Sequence, residues 1–124
     1  MLLIYAEERA IDEAARLHCY EESKQLCHDL NAKGQFLAAS PLQPVSTATS
    51  VRVREGKCMV TDGPFAETRE HLGGYFLVEA RDLDEALGIA ARIPAARWGT
   101  VEVRPVIEIP NMPKPIEAEE YAQR

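Results

Sequence analysis

Residues 74–94, GYFLVEARDLDEALGIAARIP, decide the fold because they join a strand directly to a helix. Residues 74–80 are predicted to form the strand. Asp82 is the expected N-cap of the helix, Glu85 completes a pattern similar to a capping box, and Pro94 ends the helix. Apolar residues at helical spacing predict one buried face, which comprises Leu83, Ala86, Leu87, Ala90 and Ile93.

The N-terminal part of the chain predicts a strand, a helix and a second strand. Residues 2–6 (LLIYA) are short and apolar, as in a buried central strand. Asp12 can cap a helix that continues to about Lys33, and Gly34 provides its stop. Residues 35–40 predict the next strand. The buried face of this helix is predicted to comprise Cys19, Ser23, Leu26, Cys27 and Leu30.

A β-hairpin is inserted between these two parts. Residues 51–54 and 57–61 have the composition of strands, and they flank Glu55 and Gly56, a two-residue link of hairpin type. The polar Ser/Thr stretch at residues 46–50, preceded by two prolines, predicts a loop before the hairpin.

This order of elements predicts an α+β domain, a ferredoxin-like βαββαβ sandwich with an inserted β-hairpin. Residues 101–109 supply the last strand, in which Pro105 indicates an edge position or a bulge. With both helices on one face of an antiparallel sheet, apolar side chains on the other face predict a homodimer packed sheet to sheet. The domain is expected to cover residues 1–109. The Pro- and Glu-rich tail, residues 110–124, is expected to be mobile or laid across a partner.

Composition excludes several classes of protein. The chain has 124 residues and a net charge of −6, with no basic patch, so direct binding to nucleic acid is not expected. No apolar run approaches the ~20 residues that span a bilayer, so no membrane association is expected. Three cysteines are an odd number and argue against a disulfide scaffold. A cytoplasmic protein is therefore expected.

The segment DGPFAETRE, residues 62–70, is the candidate for chemistry, because a bare turn between strands does not require its acids and its base. Asp62 could act as a general base or orient one. The alternative is that Asp62, Gly63 and Pro64 only make a turn. Phe65 could contact a ligand or fill the core below the turn. Two charged members, Glu67 and Arg69, could bind a polar ligand or form a solvated surface.

Two histidines and two threonines complete the candidate site. His71 follows the segment, and His28 lies off the buried face of the first helix; either could exchange protons with Asp62 near neutral pH. The alternative is that each is an ordinary surface histidine. Thr47 and Thr49 could donate hydrogen bonds to a ligand. No metal is expected, since the His18-Cys19 and Cys27-His28 pairs would be about 13 Å apart along one helix. No organic cofactor is expected, because no P-loop or dinucleotide fingerprint is present.

Several blocks of the sequence resemble the DGPF branch of the YCII-related proteins, a family of unresolved activity. The blocks are residues 1–6, 42–44, 47–49, 62–70, 72–76, 80–86, 91–94 and 101–105. The resemblance implies a dimeric α/β barrel. It also implies a possible acid–base site made by a His and Asp pair in the cleft between helix and sheet; one relative dehydrochlorinates an aromatic compound. The wider family's histidine lies about eleven residues before the glycine that ends the first helix, and that position is Ser23 here.

Three functions follow from these observations. The first is a homodimer that binds a small organic molecule in a cleft lined by the Asp62 segment, the loop from Thr47 to Thr49 and the first helix. Acid–base chemistry by Asp62 with His28 or His71 would need no cofactor. The second is an accessory or regulatory protein. The resemblance implies this role, because DGPF proteins are encoded beside, or fused to, extracytoplasmic-function sigma factors. The third is a scaffold in which the DGPF block only stabilises the fold and the dimer.

Overall fold

The computed structural model of the chain describes residues 1–66 and 68–115. Short 3₁₀ turns lie at Val45–Thr47 and Pro94–Arg97. The helices and strands are, in chain order, β1 (Leu2–Ala6), α1 (Glu13–Ala32), β2 (Phe36–Pro41), β3 (Thr49–Arg54), β4 (Lys57–Asp62), β5 (His71–Val78), α2 (Leu83–Arg92) and β6 (Thr100–Val103).

The main sheet has four antiparallel strands in the order β2-β5-β1-β6, and β3 and β4 form a separate two-stranded sheet. Leu2 and Phe76 are cross-strand partners on β1 and β5, so their side chains lie on the same face of the main sheet. Both belong to one buried cluster with Leu30 of α1 and Ile89 of α2. The two helices therefore share this face, which confirms the ferredoxin-like α+β fold with an inserted hairpin.

The helix ends follow the capping residues. The Asp12 carboxylate accepts a hydrogen bond from the Ala15 N–H at 2.8 Å, as an N-cap does. Gly34 has a φ of 70°, and the Gln35 N–H donates to the Leu30 carbonyl at 2.9 Å, which is the Schellman arrangement for the end of α1. These ends confirm the predicted span of the first helix.

The second helix differs from its prediction in the buried face. Asp82 caps α2 through the Glu85 N–H at 2.8 Å, as expected. However, Leu83 and Leu87 are 61% and 48% exposed, so their predicted burial is wrong. The helix packs through Ile89, Ala90 and Ile93, and Leu87 lies about 110° around the axis from the centre of that face.

The Glu85 carboxylate does not close a capping box onto Asp82. It accepts hydrogen bonds from the Arg81 N–H at 3.2 Å and from the Gln35 side-chain amide at 2.8 Å. This second bond joins the start of α2 to the start of β2.

Several strand boundaries differ from the prediction, and three of them have a clear cause. β3 begins at Thr49, inside the predicted 46–50 loop, because residues 49–50 pair with β4. β5 begins at His71 rather than at residue 74, since pairing with β1 extends to Ala6 opposite His71. β6 ends at Val103 rather than at residue 109. Beyond it the Arg104 N–H donates to the Met1 carbonyl, and the following proline has no N–H to continue the ladder.

The inserted hairpin turns at Glu55 and Gly56, as predicted, with φ values of 52° and 74°. Within the described part of the chain, no helix is long and apolar enough to cross a membrane. Residues 110–115 of the predicted tail form no helix or strand, and residues 116–124 lie outside the described residues.

Candidate ligand-binding cleft

A cavity of about 830 Å³ lies between α1 and the main sheet. Its apolar lining includes Ile4 and Phe76 from the sheet and Ile93 from the end of α2. Its origin lies in the buried face of α1. In the C-terminal half of that face, Leu26 and Leu30 fill the core and are nearly inaccessible. Other positions of the same face carry small side chains, which leave space above the sheet; these are Cys19, Ser23 and Cys27.

A second cavity of about 550 Å³ lies beside the first, on the side of the DGPF turn. Its lining includes Tyr5, Thr47, Pro64 and Phe65. Four residues line both cavities: Leu42, Gln43, Pro44 and His71. The structure thus places one ionisable side chain, His71, at the junction of the two.

The position of His71 follows from an irregularity in the sheet. The register between β1 and β5 shifts between Ile4 and Tyr5, so that His71 is paired with Ala6 and Leu72 with Tyr5. Ala6 lines the large cavity and Tyr5 lines the small one. The half-buried imidazole is therefore at the strand end where the two cavities adjoin.

The DGPF turn is held by its backbone. Gly63 has a φ of 100°, its N–H donates to the Ala48 carbonyl at 2.7 Å, and its carbonyl accepts from the Ser50 hydroxyl at 2.7 Å. Asp62 is exposed, and its carboxylate makes no hydrogen bond with the imidazole of His71. Asp62 lies outside the lining of both cavities.

The remaining predicted site residues are divided between the cavities and the surface. Thr47 lines the small cavity, and its hydroxyl donates to the Pro44 carbonyl at 2.7 Å. Besides Asp62, the members of the predicted site that line neither cavity are Thr49, Gly63, Arg69 and the exposed His28. Arg69 forms an ion pair with Glu7 at 2.5 Å. Glu67 lies outside the described residues.

Phe65 contributes to the small cavity and does not fill the core. Its side chain is 74% exposed, so the alternative in which it packs below the turn is wrong. The Arg52 guanidinium of the hairpin lies 5.5 Å from the centre of the ring, within the range of a cation–π contact.

Among the residues of the large cavity that sequence reasoning missed are Arg16 and Trp98. Arg16 lies one turn before Cys19 on α1 and could have been found by continuing the buried face toward the N-terminus. Trp98, the single tryptophan of the chain, follows the 3₁₀ turn after α2. It reaches the cavity only through the packing of that turn against α1, which no local pattern encodes.

The two thiols in the large cavity are poor nucleophiles. Burial raises the pKa of Cys27. Burial also raises the pKa of Cys19, although the nearby Arg97 guanidinium opposes the shift. Both thiols therefore stay protonated near neutral pH. Among the described residues, no group of three or more His, Cys, Asp or Glu could hold a metal ion.

The fold and the cavities define a class, a ferredoxin-like α+β domain with a cleft between helix and sheet. The chain belongs to the YCII-related family, since the YCII-related domain matches residues 1–110. An uncharacterized protein of Rhizobium meliloti (strain 1021) is 37% identical to it over 95 residues, which is 69% of this chain and 77% of that relative. Neither match names a reaction, so the activity of the family member described here is unresolved.

Proposed function

We propose that the protein binds a small organic molecule in the cleft between α1 and the sheet. The observation that carries this proposal is the cavity of about 830 Å³, which falls in the range of roughly 300–1,000 Å³ typical of small-molecule sites. Its floor is apolar, and polar side chains such as Ser23, Tyr20 and His71 lie on its lining together with several charged ones. An apolar body with a small number of polar groups would suit such a site.

The proposal extends to acid–base chemistry without a cofactor, with His71 as the group that exchanges the proton. An imidazole can both accept and donate a proton, and His71 lines both cavities. His28 is exposed and lines neither cavity, so His71 is the better candidate. The part proposed for Asp62 is indirect: it ends β4 and precedes the turn that carries Pro64 and Phe65 to the small cavity.

A fragment screen followed by NMR tests the binding proposal. Trp98 is the single tryptophan of the chain and lines the large cavity, so its indole N–H gives one assignable signal inside the cleft. Apolar fragments are expected to shift the Trp98 indole and the His71 ring signals together. His28 is exposed on α1 and lines neither cavity. Its ring signals therefore serve as the internal control and should not shift. A screen in which no fragment shifts Trp98 would contradict the proposal.

We also propose the homodimer packed sheet to sheet. Leu2 and Phe76 face the helices, so the alternating residues Leu3, Tyr75 and Leu77 lie on the opposite face of the sheet. A second copy would cover these apolar side chains. Leu77→Glu is expected to convert a dimer to a monomer in sedimentation velocity, while Leu87→Glu, at an exposed leucine of α2, should leave the dimer intact.

A second candidate function is the accessory or regulatory role, and the exposed hairpin favours it. Val51 and Val60 are cross-strand partners in β3 and β4 and are 61% and 63% exposed. Apolar side chains grouped on one exposed surface suit a protein partner. The test is calorimetric titration with a purified extracytoplasmic-function sigma factor from the same organism. Binding that is lost in Val60→Ser would support this role, and no binding would remove it.

We also propose that the protein belongs to the DGPF branch of the family and that it is cytoplasmic. Membership of the DGPF branch is supported by the block from Asp62 to Phe65 and by the glycine conformation at its centre. A cytoplasmic location is supported by the three cysteines, all of which are free thiols, as a reducing compartment would keep them.

A further inference from the structure

Arg16 is a half-buried cation on the lining of the large cavity. One of its guanidinium N–H groups donates to the Glu8 backbone carbonyl at 2.9 Å. None of the ion pairs formed by the described residues includes Arg16. A guanidinium has five N–H donors, so the described contacts leave most of this fork without a protein partner.

The other charged groups on the same lining are mostly engaged. Glu7 is paired with Arg69 at 2.5 Å. The Glu8 carboxylate accepts the Val45 N–H at 2.6 Å. The Lys24 ammonium is bound to Glu21 at 3.1 Å on the exposed surface of α1. The charges of Glu7 and Lys24 are thus compensated by ion pairs, and the Glu8 carboxylate is held by a backbone hydrogen bond.

Two charged groups of the lining remain to be weighed. Glu13 stands exposed in the first turn of α1, where the positive end of the helix dipole stabilises a carboxylate. Arg9 is exposed and is fixed by no side-chain hydrogen bond within the described residues, so it adds positive charge without a defined geometry. Arg16 is therefore the positioned and uncompensated charge in the cleft.

We infer that the cleft takes an apolar molecule that carries a carboxylate or a similar planar oxyanion, and that Arg16 receives this group. The inference rests on the proposed binding function and names the class of its ligand. Arginine is suited to the task because two parallel N–H groups match the two oxygens of a carboxylate. The apolar body of the ligand would lie over Ile4, Phe76 and Ile93, which form the floor.

A matched pair of probes tests the carboxylate inference separately from the proposed binding function. Biphenyl-4-carboxylate and biphenyl-4-carboxamide have nearly the same shape, and only the first is charged. Titration of each probe is followed through the Trp98 indole signal in the full-length protein. The carboxylate is expected to bind about tenfold more tightly than the amide, which is the effect of one charge-assisted interaction.

Three variants identify the residue responsible. Arg16→Gln removes the charge, and Arg16→Lys keeps the charge without the planar fork. Lys24→Gln is the matched control, because it removes one positive charge from the same helix and the same cavity lining. The preference for the carboxylate should vanish in Arg16→Gln, fall in Arg16→Lys and persist in Lys24→Gln.

The outcomes are distinguishable. Equal affinity of the two probes in the unmodified protein would overturn the anion inference and leave the binding function standing. A preference that survives in Arg16→Gln would also overturn it. If neither probe shifts Trp98, both the inference and the proposed binding function fail.

Discussion

Asp62 lies directly opposite Thr49, at the end of the β3–β4 hairpin away from its turn. Both side chains are exposed, and neither residue lines the large or the small cavity. The following residue, Gly63, has a φ of 100° and binds the backbone of Ala48. The geometry of the turn therefore depends on the glycine more than on the carboxylate.

Gly63→Ala is expected to lower the free energy of unfolding by about 1–2 kcal/mol, because an L-residue is strained at this positive φ. Asp62→Asn should change it by less than about 0.5 kcal/mol, since the exposed carboxylate makes few contacts. Urea unfolding of both variants measures the difference. A larger loss in Asp62→Asn than in Gly63→Ala would show that the carboxylate, and not the backbone, holds the turn.

The close approach of β2 and β5 gives a second prediction. A Cβ atom at Gly74 would lie 2.9 Å from the Ser40 carbonyl oxygen and 3.2 Å from the Pro41 Cα, so the backbone of β2 would have to move. Gly74→Ala is therefore expected to cost about 1–3 kcal/mol in the free energy of unfolding. The neighbouring Gly73 is the matched control.

At Gly73 the nearest atom to a Cβ would be the Ile4 carbonyl oxygen at 4.0 Å. Gly73→Ala should therefore be tolerated or slightly stabilising, because alanine reduces the entropy of the unfolded chain. Thermal unfolding of the two variants side by side gives the comparison. Equal losses for both would mean that strand propensity, not the approach of β2, explains the glycines.

Local patterns were enough to predict the fold, because capping and turn residues act over a few neighbours. The structure confirms the predicted helix caps at Asp12 and Asp82, the helix stop at Gly34 and the turn at Glu55-Gly56. The boundaries that were wrong depend on pairing between distant residues. β5 extends to His71 because this residue pairs with Ala6 of β1. β6 ends at Val103, which pairs with Leu2, the first residue of β1.

The candidate site was predicted only in part for the same reason. His71 and Thr47 are placed at cavities, whereas Asp62 and His28 are close to the site in sequence but outside the lining. The large cavity arises where small side chains on α1 meet the sheet, and its distant contributors, such as Trp98, come from another element. No periodicity in one segment encodes a volume enclosed by several.

The half-buried thiol of Cys27 gives a prediction at alkaline pH. Burial raises its pKa in the folded protein, while the unfolded chain has the ordinary value of about 8.5. Above that value the unfolded state loses its proton first, so the unfolded state binds fewer protons and stability falls as pH rises. Below it, both states keep the proton and this contribution is constant.

Cys27→Ala should therefore flatten the decline in the urea midpoint between about pH 8 and pH 10, whatever it does to the absolute stability. Cys58→Ala is the control, because Cys58 is exposed and should leave the slope unchanged. An unchanged slope in Cys27→Ala would contradict the assignment of the alkaline sensitivity to this thiol.

An ion pair between the helices gives the last prediction, at acid pH. The pKa of Asp29 on α1 is lowered by a hydrogen bond from Gln25 and then by one from Arg92 on α2. The distances from these donors to the carboxylate are 3.0 Å and 2.6 Å. Because the folded pKa lies below the unfolded one, this contribution to stability is present above about pH 4 and is lost as pH falls through the folded pKa.

Asp29→Asn should shift acid unfolding to lower pH relative to each protein's own stability at neutral pH, since the group that must be protonated is gone. Arg92→Gln should produce a smaller shift in the same direction, because the Gln25 hydrogen bond remains. Circular dichroism between pH 2 and pH 6 measures both. If Arg92→Gln shifted the midpoint as far as Asp29→Asn does, the interhelical pair alone, without Gln25, would account for the acid sensitivity of Asp29.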